Sequence, residues 1–298
     1  HPVARPWDLA APLADAGPPF TREEELTAGR ARAFDALDPE LGRQFAGLAG
    51  HGLLDLMSRP GKASGGFQAN LEASRQPFIF TNAVGRHDDV FTLLHEAGHA
   101  FHALAGAADP LLWNRSPPIE FCELASLAME LLAGSHLHAF YDDLARPRAL
   151  RRQLEQLVLF LPFCAALDAF QHWVYTSPEA ADPASRDATW LALHRRLHPT
   201  VDWSGLEDIR AAGWQRKLHV FEVPFYYIEY AIAGLGAIEL YGRYLADPPA
   251  TMQRYRRALA LGARAPLPEL YATAGVPWGL SAGDVRRAMQ VCRTLLEL

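Results

Sequence analysis

Apolar residues recur at the three- and four-residue spacing of an α-helix over most of this chain, so the pattern predicts a mainly α-helical fold. The first 20 residues differ, because five prolines favour an extended segment or linker there. Capping residues, prolines and glycines set the ends of the predicted helices. These helices run from a capping box at Thr21 and Glu24 to about Ala36, from Asp38 to Gly50, from Asp88 or Asp89 through His99, from Ile119 to Tyr141, and from Leu150 to Thr176 with a kink or break at Pro162.

Residues 60–86 depart from the helical pattern. Glycine and proline separate two short runs there, Phe67–Leu71 and Phe78–Thr81, which have the composition of β-strands. The chain gives no other clear β signal, so we expect one small β element close to the helix that starts near Asp88. Two interpretations stay open: a strand edge that binds an extended peptide through main-chain hydrogen bonds, or a hairpin that covers the core.

The composition is that of an ordinary globular protein, with 298 residues of which 50% are hydrophobic and 21% are charged. A net charge of -6 gives no sign of a nucleic-acid partner. The three cysteines, Cys122, Cys164 and Cys292, lie too far apart for a Cys-x-x-Cys site and favour a reducing compartment. The longest apolar run, residues 157–167, is too short to cross a bilayer. We therefore expect a cytoplasmic protein without a membrane or nucleic-acid partner.

Candidate metal chemistry begins at His95-Glu96-Ala97-Gly98-His99. On a helix, residues four apart lie on the same face, so His95 and His99 can bind one metal ion together. Glu96 lies one residue further round and can act as a general base on a water molecule. The alternative is an amphipathic helix whose histidines are only packed or solvated.

Hydrolytic zinc takes three protein ligands, so a third ligand is needed. A third histidine in the same segment would require glycine at position 102 and histidine at 105, but the chain has His102 and Ala105. A glutamate from the next helix is the other solution, and Glu120, Glu123 and Glu130 share one helical stripe. A solvated stripe would normally also carry lysine or arginine, and residues 116–145 have neither. The pattern alone leaves Glu120 and Glu123 as candidate ligands.

A later block supplies neutral hydrogen-bond donors. His219 and the tyrosines Tyr226, Tyr227 and Tyr230 can donate to a developing oxyanion without competing for a metal. Tyr227 and Tyr230 are three residues apart, so on a helix both hydroxyls can face one cleft. The alternative is that these aromatic side chains pack in a core.

Together these blocks resemble one family of enzymes. The run from His95 to His102 followed by Glu123-Leu124-Ala125-Ser126, and the block from His219 to Ala231, are similar to the thimet oligopeptidase and oligoendopeptidase F family of zinc peptidases. The likeness continues more weakly through Arg5–Asp8, Gly65–Gln68 and Asp168–Trp173. The resemblance implies a mainly α-helical metallopeptidase catalytic domain over residues 21–298, with a small β-sheet next to the helix of His95. It also implies that this domain is the C-terminal half of a larger architecture, whose upstream helical segment is expected to be missing here.

The resemblance further implies a function and a set of site residues. The expected activity is zinc-dependent hydrolysis of internal bonds in short peptides, and the alternative is an inactive relative that binds peptides or a partner. His102 is expected to be packed rather than a ligand. The implied site has one Zn²⁺ held by His95, His99 and Glu123, Glu130 orienting a ligand histidine, Glu96 as general base, His219, Tyr227 and Tyr230 at the oxyanion, and Gly65, Gly66, Phe67 and Tyr226 at the substrate. Which tyrosine acts is left open, because some relatives have a tyrosine where this chain has Ile228.

Overall fold

The computed structural model describes residues 3–10 and 17–296, so part of the proline-rich segment predicted over residues 1–20 lies outside the described residues. The chain divides into two compact units. The sheet unit comprises the described residues of Ala14–Glu155 and Ile232–Leu298, and the aromatic unit comprises Gln156–Ala231 with the described residues up to Leu13. In the described chain the helices α1 to α12 are Glu23–Leu37, Pro39–Gly50, His87–Gly106, Ile119–Gly134, Ala145–Thr176, Pro183–Leu197, Glu207–Ala211, His219–Glu222, Tyr227–Ala246, Pro248–Leu259, Leu267–Ala274 and Ala282–Leu296. The predicted mainly α-helical fold is confirmed.

A three-stranded sheet accompanies these helices in the sheet unit. Its strands are β1 (Leu54–Met57), β2 (Phe67–Leu71) and β3 (Gln76–Ala83), in the order β1-β3-β2. β2 pairs antiparallel and β1 parallel with β3. β2 has the predicted bounds and β3 extends beyond the predicted run. β1 was not predicted, because four residues that include a charged Asp55 are too short to show an alternating pattern.

The predicted capping box is wrong by one residue. Helix α1 begins at Glu23, and the Glu25 carboxylate accepts hydrogen bonds from the Thr21 backbone N–H at 2.9 Å and the Thr21 hydroxyl at 3.1 Å. The acid that closes this turn is therefore Glu25 and not Glu24. The next helix behaves as predicted, since Asp38 caps α2 by accepting from the Glu40 N–H at 2.8 Å.

Helix α3, which carries His95 and His99, begins at His87 with Arg86 at the N-cap, so the prediction of Asp88 or Asp89 as the cap is wrong. Asp89 lies within its first turn and accepts from the backbone N–H groups of Val84 and Arg86, both at 2.8 Å. The negative charge also suits the positive end of the helix dipole. Of the two predicted capping acids, Asp89 is the one that binds the preceding chain.

Two predicted helix ends differ from the structure. Helix α4 ends at Gly134 rather than Tyr141, because side chains on α9 hold the residues that follow it. The Ser135 and Tyr241 hydroxyls lie 2.9 Å apart, and His136 Nε2 lies 2.9 Å from the Tyr244 hydroxyl. These bonds replace further helical turns.

Helix α5 continues through Pro162, so a break there is wrong. Proline removes one backbone donor, but the buried Leu157 and Cys164 on the flanking turns hold the helix by packing. By length and composition alone, α5 is apolar enough to cross a membrane. Core helices of soluble proteins pass the same test, so this finding by itself assigns no membrane partner.

Close contact between α3 and α4 brings together the helices that carry the candidate metal ligands. A Cβ atom placed on Gly98 would lie 2.6 Å from Ser126 Cα and 2.9 Å from the Ala125 carbonyl oxygen, closer than real Cβ atoms approach. Glycine at this position therefore lets the backbones of the two helices meet one turn away from Glu123. The small sheet lies against the same helix, because a Cβ on Gly66 would be 3.4 Å from Thr92 Cγ2 of α3.

Candidate active site

The side chains of His95, His99 and Glu123 converge on one point in the sheet unit. His95 Nε2 and His99 Nε2 are 3.2 Å apart, and Glu123 Oε2 lies 3.4 Å from the first and 3.6 Å from the second. Donor atoms about 2.0–2.1 Å from a tetrahedral zinc ion lie about 3.3 Å from one another. The three donor atoms thus have the chemistry and the spacing of a zinc site that keeps a position for water or substrate.

Neighbouring residues on α4 orient Glu123, the third candidate ligand. Glu123 is 3% exposed on α4, and the Ser126 hydroxyl lies 3.2 Å from Glu123 Oε2 and 2.9 Å from the Glu123 carbonyl oxygen. Ser126 therefore limits the carboxylate to one orientation. Glu120, the alternative ligand left open by the pattern, is half-buried and outside the group formed by the described His95, His99 and Glu123.

Glu130 binds the other nitrogen of a histidine in this group. Its Oε1 lies 2.6 Å from His95 Nδ1, and its second oxygen accepts from the Gln153 side-chain amide. A carboxylate on Nδ1 fixes the tautomer in which Nε2 presents its lone pair to a metal. Gln153 was not predicted from the sequence, because it lies 23 residues from Glu130 and belongs to no motif.

The electrostatics of the group favour a bound cation. Burial by itself lowers the pKa of His95, but hydrogen bonds and charges from Glu123 and Glu130 raise that pKa well above its usual value. Burial and the neighbouring His95 charge lower the pKa of His99 to about 4. Two buried carboxylates thus face one neutral and one protonated imidazole, and a divalent cation can replace the proton on His95.

The Glu96 side chain extends from α3 towards the strand β2 at the edge of the sheet. Burial raises the pKa of the Glu96 carboxyl to about 7, while the His95 charge and a hydrogen bond from the Gln68 backbone N–H oppose the rise. A Cβ on Gly66 would lie 3.7 Å from Glu96 Oε1. The start of β2 therefore covers this carboxyl.

β2 is an edge strand of the described sheet, and its backbone polarity alternates. Gln68 pairs with Ile79, whose N–H donates to Leu53 on the opposite side of β3. In an antiparallel ladder, the N–H and C=O groups of Gln68 and Asn70 are consequently directed away from β3. The neighbouring Phe67 is 48% exposed and stacks on Phe80 with ring centroids 4.9 Å apart.

The predicted donors form a separate cluster in the aromatic unit. The His219 ring lies 5.4, 5.2 and 6.0 Å from the rings of Tyr226, Tyr227 and Tyr230. Tyr227 is 5% exposed and packs edge-on against Phe160, whereas Tyr226 and Tyr230 are half-buried. Burial raises the pKa of Tyr227, so its hydroxyl stays a neutral donor.

The turn before these tyrosines carries backbone strain that the sequence did not reveal. Phe225 has φ 66°, a left-handed value that is rare for an aromatic residue. Its N–H donates at 2.9 Å to Oε1 of Gln171, which is 2% exposed. Gln171 stands in the Asp168–Trp173 block noted above, and this contact gives that block a structural role.

His102 is packed, as expected. It is 4% exposed and meets the Phe121 ring edge-on at 5.5 Å. Burial lowers the pKa of His102 to about 3, so the imidazole is neutral.

Several known proteins are similar to this chain in sequence and fold. The profile of Peptidase family M3 matches residues 34–288. Oligopeptidase PepF of Bacillus subtilis (strain 168) is 25% identical over 264 residues, which cover 86% of this chain and 38% of that relative. An oligoendopeptidase F homolog of Mycoplasma pneumoniae is 22% identical over 99% of this chain and 51% of its own length.

A solved structure agrees with these sequence relatives. PZ peptidase A with inhibitor 2 has a TM-score of 0.88 and 30% identity, covering 94% of this chain and 50% of that chain. The present chain thus spans about half, or less, of the length of the proteins it matches. Because the family profile covers most of the 298 residues, the chain belongs to peptidase family M3.

Proposed function

We propose that the chain is a zinc-dependent endopeptidase that hydrolyses internal bonds of short peptides. The observation that carries the proposal is the triangle of His95 Nε2, His99 Nε2 and Glu123 Oε2, with sides of 3.2 to 3.6 Å, next to the buried Glu96. Family membership supports peptide hydrolysis as the reaction, and the names of the matched oligopeptidases support short peptides as substrates.

The donor set fits zinc. Two imidazoles and one carboxylate are a usual ligand set of zinc peptidases, and the pair of Glu130 and Gln153 would hold His95 in the ligating tautomer. When bound, the ion would act as a Lewis acid and lower the pKa of a water molecule to about 7.

Glu96 is the proposed general base. Its carboxyl is 6% exposed, and its pKa near 7 suits a group that must both accept and return a proton at neutral pH. The carboxylate takes a proton from the attacking water and passes a proton to the amine that leaves.

The proposed peptide site is the outer edge of β2. An extended peptide would pair with the outward backbone groups of Asn70 and with the carbonyl oxygen of Gln68, whose N–H already donates to Glu96. It would also contact the exposed face of Phe67. Gly65 and Gly66 leave room for the peptide backbone next to Glu96.

His219 and the tyrosines are the proposed oxyanion donors. Imidazole and phenol groups can donate to a developing negative charge without binding the metal. Tyr230 and Tyr226 are half-buried and Tyr227 is nearly fully buried, so burial favours Tyr230 over Tyr227 as the donor that reaches substrate.

The decisive experiment measures cleavage of a quenched fluorescent peptide by the zinc-loaded protein and by its Glu96→Gln variant. We expect one zinc ion per chain in both, loss of cleavage with a chelator, and a rate lowered roughly 100-fold or more in the variant. Near-normal cleavage by Glu96→Gln would exclude the general-base role. A wild-type protein that binds zinc and peptide but cleaves nothing would instead identify the inactive, peptide-binding alternative.

A further inference from the structure

The loop between β1 and β2, residues 58–66, ends in a turn that lies beside the candidate base. We call this turn, Ala63–Gly66, the glycine turn. Gly65 has φ 99°, a value open almost only to glycine, and a Cβ on Gly66 would lie 3.7 Å from Glu96 Oε1. Any displacement of the glycine turn would therefore move the start of β2 relative to Glu96.

Asn82 on β3 holds the glycine turn from the side. Its side-chain amide nitrogen donates two hydrogen bonds, to the Ala63 carbonyl oxygen at 2.8 Å and to the Gly65 carbonyl oxygen at 2.9 Å. Asn82 alternates with the buried Thr81 and Ala83, so its side chain leaves the sheet on the face that carries Phe80. One amide thus satisfies two carbonyl groups of the glycine turn.

Lys62 holds the same loop from within. Its Nζ donates to the backbone oxygens of Asp55 and Met57 and to Asp55 Oδ1, at 2.9 to 3.0 Å. The Lys62 side chain is 1% exposed, and its ammonium lies 4.4 Å from the centre of the Phe80 ring. Three acceptors hold the buried Lys62 ammonium in one position. The glycine turn begins at the next residue of the chain, Ala63.

We propose that Asn82 is a positioning residue for substrate, which fixes the glycine turn over Glu96 and so sets the register in which a peptide pairs with β2. The inference rests on the proposed function of the β2 edge. A register is specified only when the strand that presents it is held in place, because a shift of one residue reverses every side chain. Two hydrogen bonds from Asn82 act at the end of β2 where the scissile bond must meet the base.

The first test separates substrate binding from turnover. Asn82→Ala removes both donors, and we expect KM for a fluorogenic peptide to rise about tenfold with kcat changed less than about threefold and zinc retained. Gly65→Ala disturbs the same turn through its backbone alone, since no atom lies within 4 Å of the added Cβ. It should raise KM similarly, and the double variant should be little worse than either single variant, because both act on one turn.

Two matched control variants test whether a rise in KM is specific to the glycine turn. Arg59→Ala removes an exposed ion pair with Asp55 from the same loop without touching the glycine turn. Gly52→Ala introduces the same kind of strain, at φ 68° with no atom within 4 Å of the Cβ, outside the loop. Both should keep the wild-type KM. An unchanged KM in Asn82→Ala, additive effects in the double variant, or an equal KM rise in the controls would each overturn the inference.

Amide hydrogen exchange distinguishes this inference from the proposed function. Residues 63–68 should exchange faster in Asn82→Ala than in wild type, and Arg59→Ala should match wild type. Equal exchange in Asn82→Ala would overturn the role of Asn82 even in an active enzyme. A zinc-loaded wild type that cleaves no peptide, together with faster exchange in Asn82→Ala, would remove the proposed function and leave the turn-holding role of Asn82 intact.

Discussion

The acid that supports His95 shows how single residues define the candidate metal site. Glu130 binds Nδ1 of His95 at 2.6 Å and receives a hydrogen bond from Gln153. Removal of such an acid leaves a ligand histidine free to rotate and to change tautomer. Glu130 is therefore expected to affect zinc binding even though it is not a proposed ligand.

Glu130→Ala is predicted to weaken zinc binding about 10- to 100-fold, measured by competition with a chromogenic chelator. Glu120→Ala, on the same helix but outside the group of donor atoms, is the matched control and should bind zinc as wild type does. Equal affinity in the two variants would show that Glu130 does not orient His95.

The candidate site was predictable from sequence where it is local. His95, Glu96 and His99 follow from helical spacing, because one helix fixes their relation. The choice between Glu120 and Glu123 was not available from the pattern, since it depends on how α4 lies against α3. Gln153 and Asn82 act only through contacts between distant segments, at separations of 23 and 17 to 19 residues, and no spacing rule points to them.

Among the elements, the pair α3 and α4 depends on one glycine. Gly98→Ala would place a Cβ 2.6 Å from Ser126 Cα, so the helices must separate or tilt. We predict a loss of about 1–3 kcal/mol in the free energy of unfolding, together with weaker zinc binding, because Glu123 moves with α4. Denaturant unfolding and zinc titration of the variant measure both effects.

Gly106→Ala on the same helix is the matched control, since no atom lies within 4 Å of its added Cβ. This variant should retain zinc affinity and unfold at or above the wild-type denaturant concentration, because alanine favours helix. If Gly98→Ala matches Gly106→Ala in both measurements, the close helix contact does not position Glu123.

Some boundaries of helices and strands could be predicted from the local sequence, and others could not. Asp38 marks the start of α2 correctly, because an aspartate before a proline is a strong local signal. The end of α4 and the strand β1 were wrong or missed, because α9 and β3 impose them from elsewhere in the chain. Local propensity therefore gave the element types and tertiary contacts gave several of their ends.

At the scale of the whole molecule, both units contain buried neutral histidines. Burial lowers the pKa of His87 to about 4 and of His102 to about 3 in the sheet unit, and of His194 to about 3 in the aromatic unit. The unfolded chain takes up these protons near pH 6.5, before the folded chain does. Their contribution to stability is therefore complete above about pH 6.5 and is lost as the pH falls towards the folded values.

We predict that urea unfolding midpoints fall as the pH is lowered from 7 to 4.5, and that His102→Asn flattens this dependence. One titrating group accounts for up to about 1.4 kcal/mol per pH unit in this range. The comparison is between slopes, so any stability that the substitution itself removes does not affect it. Parallel slopes for wild type and His102→Asn would contradict the assignment of a neutral His102.

The division into two units left no trace in the sequence pattern. Helices α5 and α9 continue through residues 156 and 231, where the units divide, so no loop interrupts the helical pattern at either point. The expectation of one catalytic domain over residues 21–298 was drawn from motif order and had no such signal to use.

The open edge of β2, which is the proposed peptide site, can also pair with β2 of a second molecule. β2 carries no lysine, arginine or proline, the residues that discourage sheets from joining edge to edge, and it exposes 48% of Phe67 and 44% of Leu71. At high protein concentration this edge is the natural seed for intermolecular β-pairing and precipitation. A peptide bound along β2 would then also protect the protein from aggregation, because it would cover this exposed strand edge.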